Sequence, residues 1–452
     1  MPSRFVLDLN KAADCNEAGT HVELTQLKDQ LTDNTYDERL GEIYGSDPGE
    51  IAAARTRLGS LLDWYGKAFG EDANSTDVSL YTAPGRTEMG GNHTDHQQGA
   101  VLAGSVTLDM VACAAPNGTH TACVISEGYP EIVVNLDELD PKPEEEGTSQ
   151  ALVRGMAAAM AQRGYSPVGF NAVVYSAVPG GSGLSSSAAY EVLIGVILNH
   201  IACADDLTAA EIAQIGQFAE NTFFGKPSGL MDQMGSALGG VAHLDFKDPA
   251  KPVIDPIPFD MEKTGYALCI IDSGADHADL TDDYTAIRTE MKSIAAFFGK
   301  DVLREVDPAE FWTRIPELRA TTSDRAVLRA MHFFEDHARV AQQAAAIEEG
   351  CFGDFLQLVK ESGISSQTQL QNLYSVGQPL EQAVVVTQSV AKHVLDGRGA
   401  VRVHGGGFAG TVQAYVPADF AGEFKKEVDQ AIGPDACHIL RIRPIGGAVI
   451  AG

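Results

Sequence analysis

The chain has 452 residues, 44% of them hydrophobic and 21% charged, the composition of an ordinary globular protein long enough for two or three domains. Its 62 acidic residues against 32 basic ones give a formal net charge of -30, which repels nucleic acid and anionic lipid; a small polyanionic ligand would need local cations, metal and helix N-termini. Seven cysteines from Cys15 to Cys437, with no CxxC pair, fit neither a disulfide framework nor a zinc site, and no signal-like start or apolar run of about 18 residues occurs, so a reducing cytoplasm away from membranes is expected.

Residues 1–46 are polar and read as an appended, partly helical extension. Asp47-Pro48-Gly49-Glu50 is a helix start, with Asp47 as N-cap and Pro48 at the first position. Leu58, Leu61, Leu62, Tyr65 and Phe69 then form one apolar face that Gly70 closes. Residues 83–99 are punctuated by glycine and dense in polar groups suited to a sugar, so they read as a loop. A metal site from His93, Asp95 and His96 is conceivable, but neighbours in sequence point in different directions and no further ligand declares itself. Strand-like runs occupy residues 101–115 and 119–126 around a Pro116-Asn117-Gly118 turn, and residues 152–163 read as helix.

The stretch from Pro179 to Ala189, Pro-Gly-Gly-Ser-Gly-Leu-Ser-Ser-Ser-Ala-Ala, lies between a strand-like run and an apolar helix marked by Leu193, Ile194, Ile197 and Leu198. Glycines there let backbone N–H groups approach a ligand, and serines add donors where the helix dipole favours an anion. It lacks the lysine of a Walker loop, the third glycine of a dinucleotide fingerprint and the glycine of a nucleophile elbow. A phosphate loop is therefore expected rather than a plain Gly/Ser linker.

Thr208-Ala209-Ala210-Glu211 is a capping box opening a helix that ends near Glu220. Gly229-Leu230-Met231-Asp232-Gln233 follows, and a new strand at 267–272 opens a second unit. Residues 289–398 look mainly helical. Gly405 to Gly410 satisfies GxGxxG literally, but a strand-like run follows it instead of a helix, so the dinucleotide reading fails.

Four of these stretches, in this order, resemble the motifs of the GHMP sugar and metabolite kinases, most closely the galactokinase branch. Residues 179–189 resemble the family's Pro-x-Gly-x-Gly-Leu-Ser-Ser-Ser-Ala loop. Gly85, Arg86, Gly91, His93, Thr94 and Asp95 match the galactokinase signature, Gly-Arg-x-Asn-x-x-Gly-Glu-His-Thr-Asp-Tyr. Glu88, Asn92 and His96 stand where the family has asparagine, glutamate and usually tyrosine. Residues 229–233 resemble Gly-Ile-Met-Asp-Gln, and residues 402–410 resemble the third motif, Arg402 matching while Val403, His404 and Ala409 depart.

The resemblance implies an α+β, two-domain GHMP kinase fold: a ribosomal protein S5 domain 2-like N-terminal domain over 47–262, a ferredoxin-like C-terminal domain over 263–452, and an active site in the cleft between them. It implies an ATP-dependent sugar 1-kinase, with D-galactose as the leading substrate; a monomer is a separate expectation that the resemblance does not carry. Asp232 would be the base and Arg86 its catalytic partner. Asn92, His93, Asp95, Gly229 and Tyr284 would meet the sugar. Gly181, Ser182, Gly183, Leu184, Ser185, Ser186 and Ser187 would cradle ATP, with Ser187 and Glu220 on Mg2+. The chemistry agrees: a sugar hydroxyl must lose its proton as it attacks phosphorus, and a carboxylate beside an arginine can accept it. Replacing a family glutamate, Asn92 opens L-arabinose or D-galacturonate as alternatives, and a non-catalytic sugar- and ATP-binding regulator is a third.

Overall fold

In the computed structural model, residues 22–70, 77–180, 183–226, 228–275 and 280–452 are described. Strand β1 (Ser79–Gly90) pairs along its length with the longer β2 (Ala100–Pro116), from Ser79 opposite Ala114 to Gly90 opposite Leu102. The sugar-signature segment therefore differs from the loop expected of it: as far as Gly90 it is buried strand. Pro84 and Gly85 fall where the register shifts between Pro84 and Arg86, and an irregularity of this kind tolerates a residue without an N–H. Only after Gly90 does the chain leave the sheet, turning through a short 3-10 helix at Asp95–Gln97.

Two halves of β2 serve different neighbours. Strands β3 (Thr121–Ser126), β4 (Ile132–Asn135) and β5 (Phe170–Ser176) extend one end of the sheet, with β5 antiparallel to β2 and parallel to β3. Strands β6 (Val241–Asp245) and β7 (Val253–Ile257) extend the other. The second sheet contains β8 (Tyr266–Asp272), β9 (Ala400–His404), β10 (Thr411–Pro417) and β11 (Cys437–Leu440) in the antiparallel order β11-β8-β10-β9, the order of a ferredoxin-like sheet. After it, β12 (Ala448–Ala451) returns to pair with β1 in the first sheet.

Both faces of the first sheet are covered. The Ser186–Ala202 helix is apolar around its circumference, and its Leu193, Ile194 and Ile197 are buried between the sheet and the helices Ser149–Gln162, Ala209–Ala219 and Met231–Ala237. The other face carries the helices Leu24–Thr32, Asp37–Tyr44 and Pro48–Phe69, whose Leu27, Leu40, Leu58 and Leu62 pack with Leu80, Val111 and Val173. Asp47 caps the third of these, accepting from Gly49 N and Glu50 N. The described part of the extension thus packs on the Pro48–Phe69 helix and, through it, against the sheet. It is also tied to it: the buried Asp109 carboxylate on β2 accepts from Tyr44 Oη at 2.7 Å, Arg57 Nη1 at 2.7 Å, Thr82 Oγ1 at 2.6 Å and Arg443 Nη1 at 2.9 Å. Burial pushes the Asp109 carboxyl up, but Arg57 and Arg443 hold it below the usual range. Among the described residues no helix is long and apolar enough to cross a membrane.

Candidate active site

Arg86 leaves β1 towards the short Met231–Ala237 helix, which can approach because position 235 is glycine; a Cβ there would lie 2.9 Å from Arg86 Cβ. Arg86 Nε and Nη2 both reach Asp232 Oδ1 at 2.8 Å, and Arg86 Nη1 donates to Gly183 O. Ser185 Oγ donates to Asp232 Oδ2 at 2.7 Å. Asp232 is therefore oriented through both oxygens, while its side chain keeps 28% of its surface open. Burial pushes its carboxyl up, yet Arg86, the Ser185 hydroxyl and Lys226 together hold it below the ordinary aspartate value, so it is ionised at neutral pH.

Ser185 sits at the mouth of the Ser186–Ala202 helix with φ of 58°, and its side chain does not cap that helix. Its hydroxyl is committed to Asp232 instead, which leaves first-turn N–H groups for an anion. Gly183, also left-handed at φ of 66°, has no room for a side chain: a Cβ would meet Thr411 Oγ1 at 2.3 Å. The phosphate loop thus rests against the strand after the third motif. Leu184 is buried under the loop, and its carbonyl accepts from Arg86 N at 3.0 Å. Gly181 and Ser182 lie outside the described residues.

Ser187 and Glu220 come together as expected, Ser187 Oγ donating to Glu220 Oε1 at 3.4 Å. Glu220 is buried where the Ala209–Ala219 helix widens into a π-turn. Its other contacts are Lys226 Nζ at 2.9 Å, Gln233 Nε2 at 3.0 Å and Ser228 Oγ at 2.5 Å. Gln233 Nε2 also donates to Glu191 Oε2 at 2.9 Å, so one amide links two carboxylates. Burial and the Glu220 charge push the Glu191 carboxyl well up, which removes the repulsion that two buried anions would otherwise suffer. Two oxygen donors on facing elements are of the type Mg2+ prefers, so Ser187 and Glu220 would be the residues to hold it.

Among the residues expected at the sugar, Asp95 lies against Gly229, where a Cβ would stand 1.7 Å from Asp95 Oδ2. Burial, then the neighbouring Asp232 charge, push the Asp95 carboxyl up to about 6. His93, left-handed at φ of 58°, bonds through Nε2 to Gly406 O at 2.8 Å. Its Nε2 carries the proton in that bond, Nδ1 is left as an acceptor, and burial lowers the ring to about 4. Tyr284 Oη donates to Gly407 O at 2.8 Å, and its ring meets Phe408 edge-on at 5.4 Å. His93 and Tyr284 thus meet the loop at Gly405–Gly407, which lies beside Arg86, and Asp95 lies near enough to Asp232 to feel its charge.

Residues 151–240 match the model of the GHMP kinases N terminal domain, and residues 65–116 match the galactokinase galactose-binding signature. The chain carries the N-terminal domain of the GHMP kinases and the galactose-binding signature of the galactokinases. As such it is an ATP-dependent sugar phosphotransferase. Every candidate residue named above except Tyr284 falls within those two spans. The fold of this kinase is similar to that of Lactococcus lactis galactokinase complexed with galactose, at 24% identity and a TM-score of 0.75 over 87% of this chain and 99% of that one. It is also similar to Methanococcus jannaschii mevalonate kinase (14% identity, TM-score 0.58, 80% and 98% covered). A D-glycero-D-manno-heptose 1-phosphate kinase from Bacteriodes thetaiotaomicron shares the fold at 13% identity, with a TM-score of 0.55 over 82% and 98% of the two chains.

Asn92 is a correction. Expected against the sugar, it is fully buried with its side chain committed to protein. Its Nδ2 donates to Glu88 Oε1 at 3.0 Å and Gly405 O at 2.7 Å, while its Oδ1 accepts from Asn372 at 2.9 Å and Ser366 at 3.2 Å. Glu88 is paired in turn with Arg402 Nη2 at 2.7 Å. Two of the three departures from the galactokinase signature therefore touch one another: acid and amide stand in exchanged order and are in contact here. Sequence reasoning also missed Lys226, having looked for a phosphate-site cation only inside the glycine loop. Its position between Glu220 and the Gly229–Gln233 motif was the available signal.

Proposed function

We propose that this kinase transfers the γ-phosphoryl group of ATP to the anomeric hydroxyl of D-galactose, giving galactose 1-phosphate. The observation that carries the reading is Asp232, ionised and held by Arg86 and Ser185 beside an uncapped helix start. Asp232 takes the hydroxyl proton as the sugar oxygen forms its bond to phosphorus, and the bond from phosphorus to the leaving ADP oxygen breaks. Because Arg86 also holds Gly183 O, the base and the phosphate loop move as one unit. Asp95 orients ring hydroxyls, with His93 and Tyr284 shaping the wall. Ser187 and Glu220 would hold Mg2+, whose charge would neutralise the phosphate oxygens when bound. Lys226, 2.9 Å from Glu220, adds a protein cation there.

A monomer as the acting unit is part of this reading, and six free cysteines among the described residues fit a reducing cytoplasm. The test is magnesium-dependent ATP consumption with D-galactose, L-arabinose, D-galacturonate and N-acetylgalactosamine, with the phosphate position read by NMR. Galactose 1-phosphate is the expected product. Sugar binding without turnover of any sugar would replace the kinase reading with a regulator.

A further inference from the structure

With Asn92 walled off, another feature must read the substituents of the sugar. A cavity of about 300 Å3 adjoins the sugar site at Asp95 and Gly229 and runs to the Thr281–Phe297 helix. That helix carries Tyr284, Arg288 and Lys292 at four-residue spacing, so the face that presents Tyr284 to the cleft also presents two cations. Neither Arg288 nor Lys292 has an ion-pair partner among the described residues. Both line the same hollow, so their charges add there. His96 lines the same cavity. Its Nδ1 accepts from Gln97 Nε2 at 3.3 Å, so the proton sits on Nε2, which is buried and has no partner. Burial, His93, Arg288 and Lys292 all keep that ring neutral, so it is a donor without charge. Two cations and an unused N–H facing one hollow are the complement of an anion.

We infer that this cavity is an extension of the sugar site that receives an anionic substituent of the sugar, so that the substrates of this kinase include acidic sugars. The inference rests on the sugar-kinase reading. Asp95 would hold the hydroxylated ring, and Arg288, Lys292 and His96 Nε2–H would hold a carboxylate or phosphate carried by the same molecule.

The test is calorimetric binding of D-galactose, D-galacturonate, D-galactose 6-phosphate and inorganic phosphate to the full chain, repeated for Arg288→Gln, Lys292→Gln and the charge reversal Arg288→Glu. At least one acidic sugar is expected to bind better than D-galactose. The variants should lower that preference by about tenfold or more, and added salt should weaken it. Preference for the galacturonate arm identifies a sugar acid, and preference for the 6-phosphate arm identifies a sugar phosphate. Lys292 is exposed, so its variant keeps the test alive if Arg288 variants fail to fold. The inference falls if neither acidic sugar is preferred or if the variants leave the preference within about twofold. It falls equally if inorganic phosphate binds as well as the sugar phosphate. Binding of an acidic sugar with no phosphoryl transfer to any sugar would leave the cavity assigned and overturn the kinase reading alone.

Discussion

Restoring the galactokinase glutamate by Asn92→Glu is the substitution that the signature invites, and the structure predicts that it destabilises the protein. Asn92 Nδ2 is the donor between two acceptors, Glu88 Oε1 at 3.0 Å and Gly405 O at 2.7 Å. A glutamate there sets a second carboxylate against Glu88 where both residues are at most 1% exposed. Each acceptor left without a donor costs about 1–3 kcal/mol, and an uncompensated buried charge costs about 3–5 kcal/mol. Taking about 4 kcal/mol, the unfolding midpoint of a domain of about 200 residues falls by roughly 8–16 °C. The double variant Glu88→Asn/Asn92→Glu keeps one acid and one amide at the two positions. Calorimetric melting of wild type, both single variants and the double variant gives the coupling, expected at about 2 kcal/mol in favour of the double. A midpoint for Asn92→Glu within about 2 °C of wild type, or a double variant no better than the sum of the singles, would refute the exchanged pair. Sugar preference is expected to stay unchanged in the double variant, because position 92 does not face the cleft.

Asp232→Asn is expected to lose roughly 100-fold to 10,000-fold in turnover while sugar binding by calorimetry survives; activity within about threefold of wild type rules Asp232 out as the base. Since Asp95 must be ionised to accept from sugar hydroxyls and its carboxyl is pushed up to about 6, kcat/KM should rise with pH through about 6 and then level. A profile flat from pH 5 to 8 speaks against that role. Gly229→Ala drives a Cβ to 1.7 Å from Asp95 Oδ2, so the KM for sugar should rise about tenfold or more with the KM for ATP little changed; equal sugar kinetics would place Asp95 away from the substrate. Deleting residues 1–46 uncovers the face of the Pro48–Phe69 helix on which the first two helices pack and takes Tyr44 from Asp109, so aggregation or a midpoint lower by at least about 5 °C is expected, and a truncated chain as stable as the parent would deny the extension its covering role.

What could be read in the sequence was whatever local chemistry determines. Asp47 and Thr208 cap their helices as the spacing requires, because a cap needs only residues two or three places on. The phosphate loop, the Asp232 motif and Arg86 carry their chemistry in runs of a few residues, and the fold brings those runs to one cleft. The β1 segment was misread because its glycines and Pro84 are local signals for a loop, whereas its pairing with β2 and β12 comes from elsewhere in the chain. Asn92 shows the same limit at the level of one side chain. Asp336 accepts from its backbone N–H at 2.8 Å, and Ser366 and Asn372 saturate its side-chain oxygen; all three lie more than 240 residues further along. A motif states which residue types stand near the reaction. Which of them still has a free hydrogen bond to offer depends on the partners that the second half of the chain supplies: the Asn92 amide is satisfied, while Arg288 and Lys292, on the cavity beside Asp95, have no ion-pair partner among the described residues.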